Sequence, residues 1–350
     1  MKQPRHSSGA STTTTEIPGE PENHTKTLPC YTLFMTLQPS STSLISRPLA
    51  DERDWWRVRT LLIETFPISG PGFNWELRHW DGNRHHNPGP SWQPELYARH
   101  QLWETTDGVL AGVAHPEGDS EAWFEIHPQF RAQLEALMLD WAEQHFCGPA
   151  AGGGRELHLC VYEYDAPRIR LLQARGFEKQ VYGWITRRMH LGRWPTPPVP
   201  EIAPGYCLRT TRSGDLQDCQ RIATLLNAAF NRPGFHQALE VFNFCQNSPS
   251  FTHHLNLVAE APDGEFGAHA GLTIDSANRF AIFEPVCTHP DHRRKRLAQT
   301  LMLEGLRRLQ ALGVDEVEVS TGDADAANAL YDSLGFTEYY KAYYWKKLYG

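Results

Sequence analysis

The 350-residue chain lacks most of the features that would narrow its function at a glance. No stretch reaches the roughly 18 uncharged apolar residues that a membrane helix needs, so no membrane partner is expected and the protein reads as soluble. A basic surplus is absent: the net charge is -8, which argues against a chain built mainly to hold nucleic acid. The seven cysteines (Cys30, Cys147, Cys160, Cys207, Cys219, Cys245 and Cys287) are scattered, odd in number and never spaced as Cys-x-x-Cys or as a zinc knuckle. Reduced thiols in the cytoplasm are the expectation, and no metal. The paired histidines His85-His86 and His253-His254 lack the partner spacing of a metal site. A Gly-x-Ser-x-Gly elbow, a P-loop and a dinucleotide fingerprint are all missing, which removes several hydrolase and nucleotide classes.

What is present falls into two blocks. Residues 1–42 are polar, rich in Gly, Ser and Thr and aperiodic, as expected of a disordered tail, and Met35 is an alternative start. A proline-rich break over 194–204 denies both helix and central strand and reads as a linker. It separates a domain over 43–193 from one over 205–350, each of a common domain size. In the second block, strand signals at 206–210, 255–259, 268–274, 279–288, 316–320 and 337–348 alternate with helices over 216–230, 294–312 and 324–333. The first block repeats the order, with helices over 52–66 and 131–145. Pro128 and Pro290 are 162 apart, and the Gly-Phe steps at Gly176 and Gly335 are 159 apart. A period that long marks a duplicated domain of the α/β type, with a mixed sheet carrying helices on its faces. The stretch 67–94, dense in Gly, Pro, Trp and His, reads as a loop that packs, with a binding loop as the alternative.

The densest chemical signal is Glu284-Pro-Val-Cys-Thr-His-Pro-Asp-His-Arg-Arg-Lys-Arg-Leu-Ala298. A strand ends, a proline breaks it, and a basic turn opens into an amphipathic helix. Backbone N–H groups at a helix start form an anion site, and four successive cations suit a phosphate or pyrophosphate. A second signal, Leu330-Tyr331 followed by Gly335-Phe336, closes a short helix downstream. Glu284 shares a strand face with Val286 and Thr288 by period two, where a carboxylate can take a proton. His289 and His292 are weaker bases, read first as residues of the turn.

This segment resembles the acetyl-CoA motif of the GNAT superfamily of N-acetyltransferases, whose turn reads Arg/Gln-x-x-Gly-x-Gly/Ala. Here the turn is Arg293-Arg294-Lys295-Arg296-Leu297-Ala298. The resemblance implies that backbone amides from Arg294 to Gln299 cradle the pyrophosphate and that Val286, Cys287 and Thr288 pair with the pantetheine arm. It implies Tyr331 as the acid that protonates the leaving thiolate; the asparagine common seven residues earlier is Ala324 here, and Asn328 is the candidate to stand in for it at the cofactor. Arg296 stands where the family usually has glycine, which bears on how closely backbone can approach phosphate. Aligned on the proline, the first block offers Arg131-Ala-Gln-Leu-Glu-Ala136 at the same place and Leu172 in place of Tyr331. The reading is therefore two tandem GNAT-like acyl-CoA N-acyltransferase domains, similar in architecture to mycothiol synthase-like proteins, with a degenerate first copy. The expected activity is acetyl transfer from acetyl-CoA to a primary amine of a small molecule; a non-catalytic acyl-CoA-binding module is the alternative.

Overall fold

The protein is described by a computed structural model covering residues 43–90 and 92–350, so the expected tail over 1–42 and the alternative start Met35 lie outside the described residues. The first copy runs β1 (Leu44–Pro48), α1 (Glu52–Thr65), α2 (Leu77–His85), α3 (Pro94–Tyr97), β2 (Gln101–Thr105), β3 (Leu110–Glu117), β4 (Glu121–Ile126), α4 (Arg131–His145), β5 (Gly148–Pro149), β6 (Arg155–Tyr162), α5 (Ala166–Ala174) and β7 (Glu178–His190). The second runs β8 (Cys207–Thr210), α6 (Leu216–Ala229), α7 (Ala238–Asn247), β9 (Phe251–Glu260), β10 (Phe266–Asp275), β11 (Phe280–Thr288), α8 (Leu297–Ala311), β12 (Glu316–Thr321), α9 (Asp325–Ser333) and β13 (Glu338–Tyr349).

The duplication is written into the side chains. Asp51 caps α1 by accepting from the backbone of Arg53 and Asp54, and Asp215 caps α6 by accepting from Gln217 and Asp218. On the strand before each helix an arginine clamps two acids. Arg47 donates to Asp54 at 2.8 Å and Glu104 at 3.0 Å; Arg209 donates to Asp218 at 2.7 Å and Glu260 at 2.6 Å.

All strands join one mixed sheet in the order β1-β2-β3-β4-β6-β13-β7-β12-β11-β10-β9-β8, with β5 paired on β6. The two copies exchange their last strands. β13, the end of the second copy, lies between β6 and β7 of the first, and β7 pairs antiparallel with β12 of the second. Burial follows the exchange: Trp345 of β13 packs in the first copy's core with Leu134, Met138 and Leu159. Met189 of β7 and Leu191 after it pack in the second copy's core with Leu257, Leu301 and Phe336. Each core is closed by the other copy's strand, a feature that period and spacing did not reveal. Burial of each such side chain contributes on the order of 1.5–3 kcal/mol, so the exchange fastens the copies strongly.

Two further differences from the sequence expectation matter for the site. The stretch 67–94 is not all loop: Leu77–His85 form α2, whose Trp80 is fully buried and stacks on Trp55 at 5.8 Å. Helix α7 likewise had no counterpart in the sequence expectation, and it packs against α2.

Candidate active site

Strand β11 is irregular where the chemistry was expected. In its ladder with β10, Ala270 pairs with Val286 and Leu272 with Phe283, so Glu284 and Pro285 together face the single residue Gly271. That is a β-bulge, which kinks a strand and re-aims a side chain. Gly271 permits it, since a Cβ there would stand 3.0 Å from the Glu284 carbonyl oxygen and 3.1 Å from Pro285 Cδ. On the other edge β11 pairs with β12 only from Phe280–Glu316 to Phe283–Val319, and beyond that point no ladder joins the two strands. The gap opens into a cleft of about 1560 Å³ lined by residues of both copies.

At the mouth of this gap the chain passes through a short 3-10 turn, Pro290–His292, and then the basic turn. Arg294 and Arg296 both adopt left-handed backbone, with φ of 63° and 57°. Arg296 is the residue just before α8, so Leu297, Ala298 and Gln299 supply the first-turn N–H groups, which have no partner within the helix. These groups, the helix dipole and the neighbouring cations make an anion site. The departure from glycine at 296 is resolved by geometry: arginine takes the conformation glycine would take, at a cost of about 1–2 kcal/mol. The long helix accordingly begins at Leu297 and not at 294.

Tyr331 of α9 lines the same cleft and packs with Phe336, ring centroids 6.1 Å apart. Burial pushes its phenol up to about 12, so it carries its proton at neutral pH. The thiol of Cys287 is also pushed up to about 12 by burial. It is no thiolate nucleophile.

The opposite wall belongs to the first copy. Trp75 donates its backbone N–H to Glu125 at 2.7 Å, and Asn74 bonds the backbone of Ile126 on both sides, fixing the entry to α2 on β4. His115 Nε2 lies 3.0 Å from the other oxygen of Glu125. So anchored, α2 presents Arg78 and His79 to Glu284. His79 Nδ1 is 2.8 Å from Glu76 and its Nε2 is 3.6 Å from Glu284; Arg78 Nη2 is 3.9 Å from Glu284. Burial pushes the His79 imidazole down, but Glu284 and Glu76 outweigh it and raise the pKa to about 9. For Glu284 burial pushes up, while the charges of Arg78 and His79 prevail and hold the carboxyl below its ordinary value. Glu284 is thus an ionised acceptor in the cleft, half-buried beside two cations. Residues of α2 had carried no chemical signal in the sequence, because their partner lies about 200 positions away.

The structure brings Glu284, Tyr331, Val286, Cys287, Thr288, Arg293, Arg294, Arg296, Leu297, Ala298 and Gln299 to one cleft. Two expected cofactor residues do not join them. Lys295 points its ammonium at the Asp291 carbonyl, 3.3 Å away, and over Tyr206. Asn328 accepts from Arg187 at 2.8 Å and donates to the carbonyls of Gly322 and Ala324, so its amide serves the loop before α9. His289 accepts from the Asp291 backbone as a cap, and His292 bonds the Tyr206 hydroxyl at 2.7 Å.

The first copy is built differently at the corresponding place. Its prolines align at a spacing of 162, but the starts of the long helices, Arg131 and Leu297, are 166 apart. The first copy's long helix thus starts four residues sooner after its proline, so that Arg131–Leu134 are helical where Arg293–Arg296 form the basic turn. Where Ala327 lines the second copy's cleft, Arg168 stands 159 positions earlier. Its Nε donates to Glu135 at 2.5 Å, Arg131 donates to Glu135 at 2.9 Å and Asp165 at 2.5 Å, and both guanidinium groups lie over Phe73. A buried ion cluster fills the slot.

Comparison with known proteins finds acetyltransferases similar to parts of this chain and to its fold. Residues 252–338 match the family model described as acetyltransferase (GNAT) domain. The chain is 27% identical over 244 residues to the mycothiol acetyltransferase of Thermobispora bispora, spanning 66% of this chain and 77% of that protein. Among solved structures, a tandem GNAT protein from the clavulanic acid biosynthesis pathway superposes with a TM-score of 0.61 at 17% identity, covering 88% of this chain and 99% of its own. A GCN5-related N-acetyltransferase from Sphaerobacter thermophilus gives 0.57 at 19% identity, covering 87% and 95%.

Proposed function

We propose that this chain, an acyltransferase with a GNAT acetyltransferase domain and the tandem GNAT fold, moves the acetyl group of acetyl-CoA to the primary amine of a small molecule by direct attack in a ternary complex. The observation that carries the reading is one cleft joining three things: the left-handed turn that opens α8, the bulged Glu284 and the protonated Tyr331. The N–H groups of Leu297, Ala298 and Gln299, flanked by Arg293, Arg294 and Arg296, fit a pyrophosphate. The unpaired edge of β11 from Val286 to Thr288 fits an extended pantetheine arm, and its amides are the donors for the oxygen on which negative charge develops.

Glu284 accepts a proton from the incoming ammonium, freeing the lone pair that forms the N–C bond. As the C–S bond breaks, Tyr331 gives its phenolic proton to the departing thiolate, and the second proton that the nitrogen sheds on becoming an amide restores the phenol. No covalent acyl-enzyme is required, in keeping with the high thiol pKa of Cys287. Among the described residues all six cysteines are free, which supports a reducing, cytoplasmic setting.

Calorimetric titration of acetyl-CoA into the full chain is the test. The expected result is one site per chain, lost when Arg293 and Arg294 are both changed to Glu, together with release of free thiol on adding a suitable amine. No heat at millimolar acetyl-CoA, or binding untouched by the double reversal, overturns the assignment.

A further inference from the structure

Arg78 is a buried charge without adequate partners. Its residue is 6% exposed, and among the described residues its buried Nε has no hydrogen bond and the one carboxylate near its guanidinium is Glu284 at 3.9 Å, longer than a hydrogen bond. It rests on the ring of Phe244 at 4.4 Å and lines the cleft. Buried guanidinium groups in folded proteins are normally met by carboxylates or carbonyls, because desolvating an unpaired cation costs several kcal/mol, on the order of the penalty for any buried ion. The arrangement is therefore completed by something that enters the cleft.

Two opposite charges meet in that cleft, 3.9 Å apart. On β11 is Glu284, already assigned to the amine. On α2 are Arg78 and, beside it, the imidazole of His79. A simple amine answers Glu284 and leaves Arg78 unmet. A molecule with an ammonium and a carboxylate a few bonds apart answers both walls at once. We infer that the acceptor is an amino acid, its ammonium on Glu284 and its carboxylate on the guanidinium of Arg78. The fork of a guanidinium matches a carboxylate with two parallel N–H···O bonds, which fixes the amine's direction as well as its position. Beyond His79 the cleft wall is aromatic: Trp75 lies 5.7 Å from the His79 ring, Trp123 5.3 Å from Trp75, and Trp184 stacks on Trp123 at 5.8 Å. An apolar or aromatic side chain suits that wall. The inference rests on the reading of Glu284 as the amine's proton acceptor, and it assigns to the first copy the task of selecting the acceptor.

The test uses the full chain with three probe sets: the twenty common amino acids, their methyl esters and their decarboxylated amines. Thiol release gives kcat/KM for each, and calorimetry into CoA-saturated protein gives affinity without requiring turnover. The expected result is at least one amino acid favoured about 100-fold or more over its own ester and amine, as when a buried polar group is left unpaired by an analogue. Arg78→Met should bring that ratio close to one, and Arg78→Lys should keep part of it; a melting curve for each variant separates misfolding from lost selection. Esters and amines that bind and react as well as the acids overturn the inference while leaving amine transfer intact. Amino-acid binding without turnover supports the inference and sinks the transfer reading. Absence of binding by any amino acid overturns the inference outright.

Discussion

The two copies begin their long helix in different ways, and the difference separates a fold from a site. In the first copy Pro128–Phe130 lead straight into α4 with right-handed backbone at Phe130. In the second, four further residues carry the chain through left-handed Arg294 and Arg296 before α8 begins. Both helices are 15 residues long and both pack on the sheet, so folding does not demand the left-handed turn. What the turn adds is a set of N–H groups and cations aimed at the gap between β11 and β12. The first copy fills its corresponding slot with the Arg131–Glu135–Arg168–Asp165 cluster and turns to another use, offering α2 as the far wall of its neighbour's cleft.

The harshest way to break the comparison is to make the second copy like the first. Deleting Arg293–Arg296 should leave a chain that melts cooperatively, because α4 shows that the helix can start directly after the proline turn. It should bind no acetyl-CoA by calorimetry at millimolar concentration. Retained affinity would mean that the anion site lies elsewhere.

Next in size is the acid. Tyr331→Phe removes the proposed proton donor, and loss of a general acid costs about 100-fold in rate. We expect turnover to fall by that order while acetyl-CoA affinity holds, since the ring remains. The reciprocal change, Leu172→Tyr in the first copy, should add nothing, because the ion cluster still occupies the slot beside it. Equal turnover of Tyr331→Phe and the parent chain would remove the phenol from the mechanism.

A smaller effect tests the contact between copies. The His79 imidazole and Arg78 hold the Glu284 carboxyl below its ordinary value against the opposing push of burial. His79→Gln deletes one of those cations, so the Glu284 pKa should rise. The acid limb of kcat/KM against pH, where Glu284 becomes protonated, should then move to higher pH. The same change bears on stability. A histidine raised to about 9 in the folded state lends stability that is fully present below its unfolded pKa and is lost as pH rises through about 9. The parent chain should therefore lose melting temperature between about pH 6.5 and 9 more steeply than His79→Gln. An unmoved acid limb would show that the first copy does not tune the second.

How far the sequence alone could reach follows from these particulars. Local patterns were legible: the strand-turn-helix at 284–298, the first long helix of each block and the Gly-Phe steps all sit where pattern and spacing placed them. What stayed hidden is non-local. The exchange of β7 and β13 leaves each strand with the same period-two pattern whichever sheet it joins. The α2 helix is short and carries Trp, His and Gly, so propensity alone does not favour it; burial of Trp80 against Trp55 and packing on α7 do. Arg78 and His79 gained meaning only when the fold set them against Glu284.

The mildest prediction concerns Arg296, a residue with a side chain held in left-handed backbone. Arg296→Gly relieves about 1–2 kcal/mol of that strain but gives glycine more freedom to lose on folding, by roughly 0.5–1 kcal/mol. The net gain in stability should be about 1 kcal/mol or less, read as a small upward shift of the melting temperature. The N–H groups of Leu297, Ala298 and Gln299 remain in place, so acetyl-CoA affinity should change by no more than the loss of one flanking cation among three. Arg296→Val, by contrast, puts a β-branched residue at a φ of 57°, and should destabilise the turn and weaken acetyl-CoA together. If the glycine variant instead loses affinity as severely as the valine variant, the side-chain charge and not the backbone turn is what holds the phosphate, and the second copy's advantage over the first reduces to four cations.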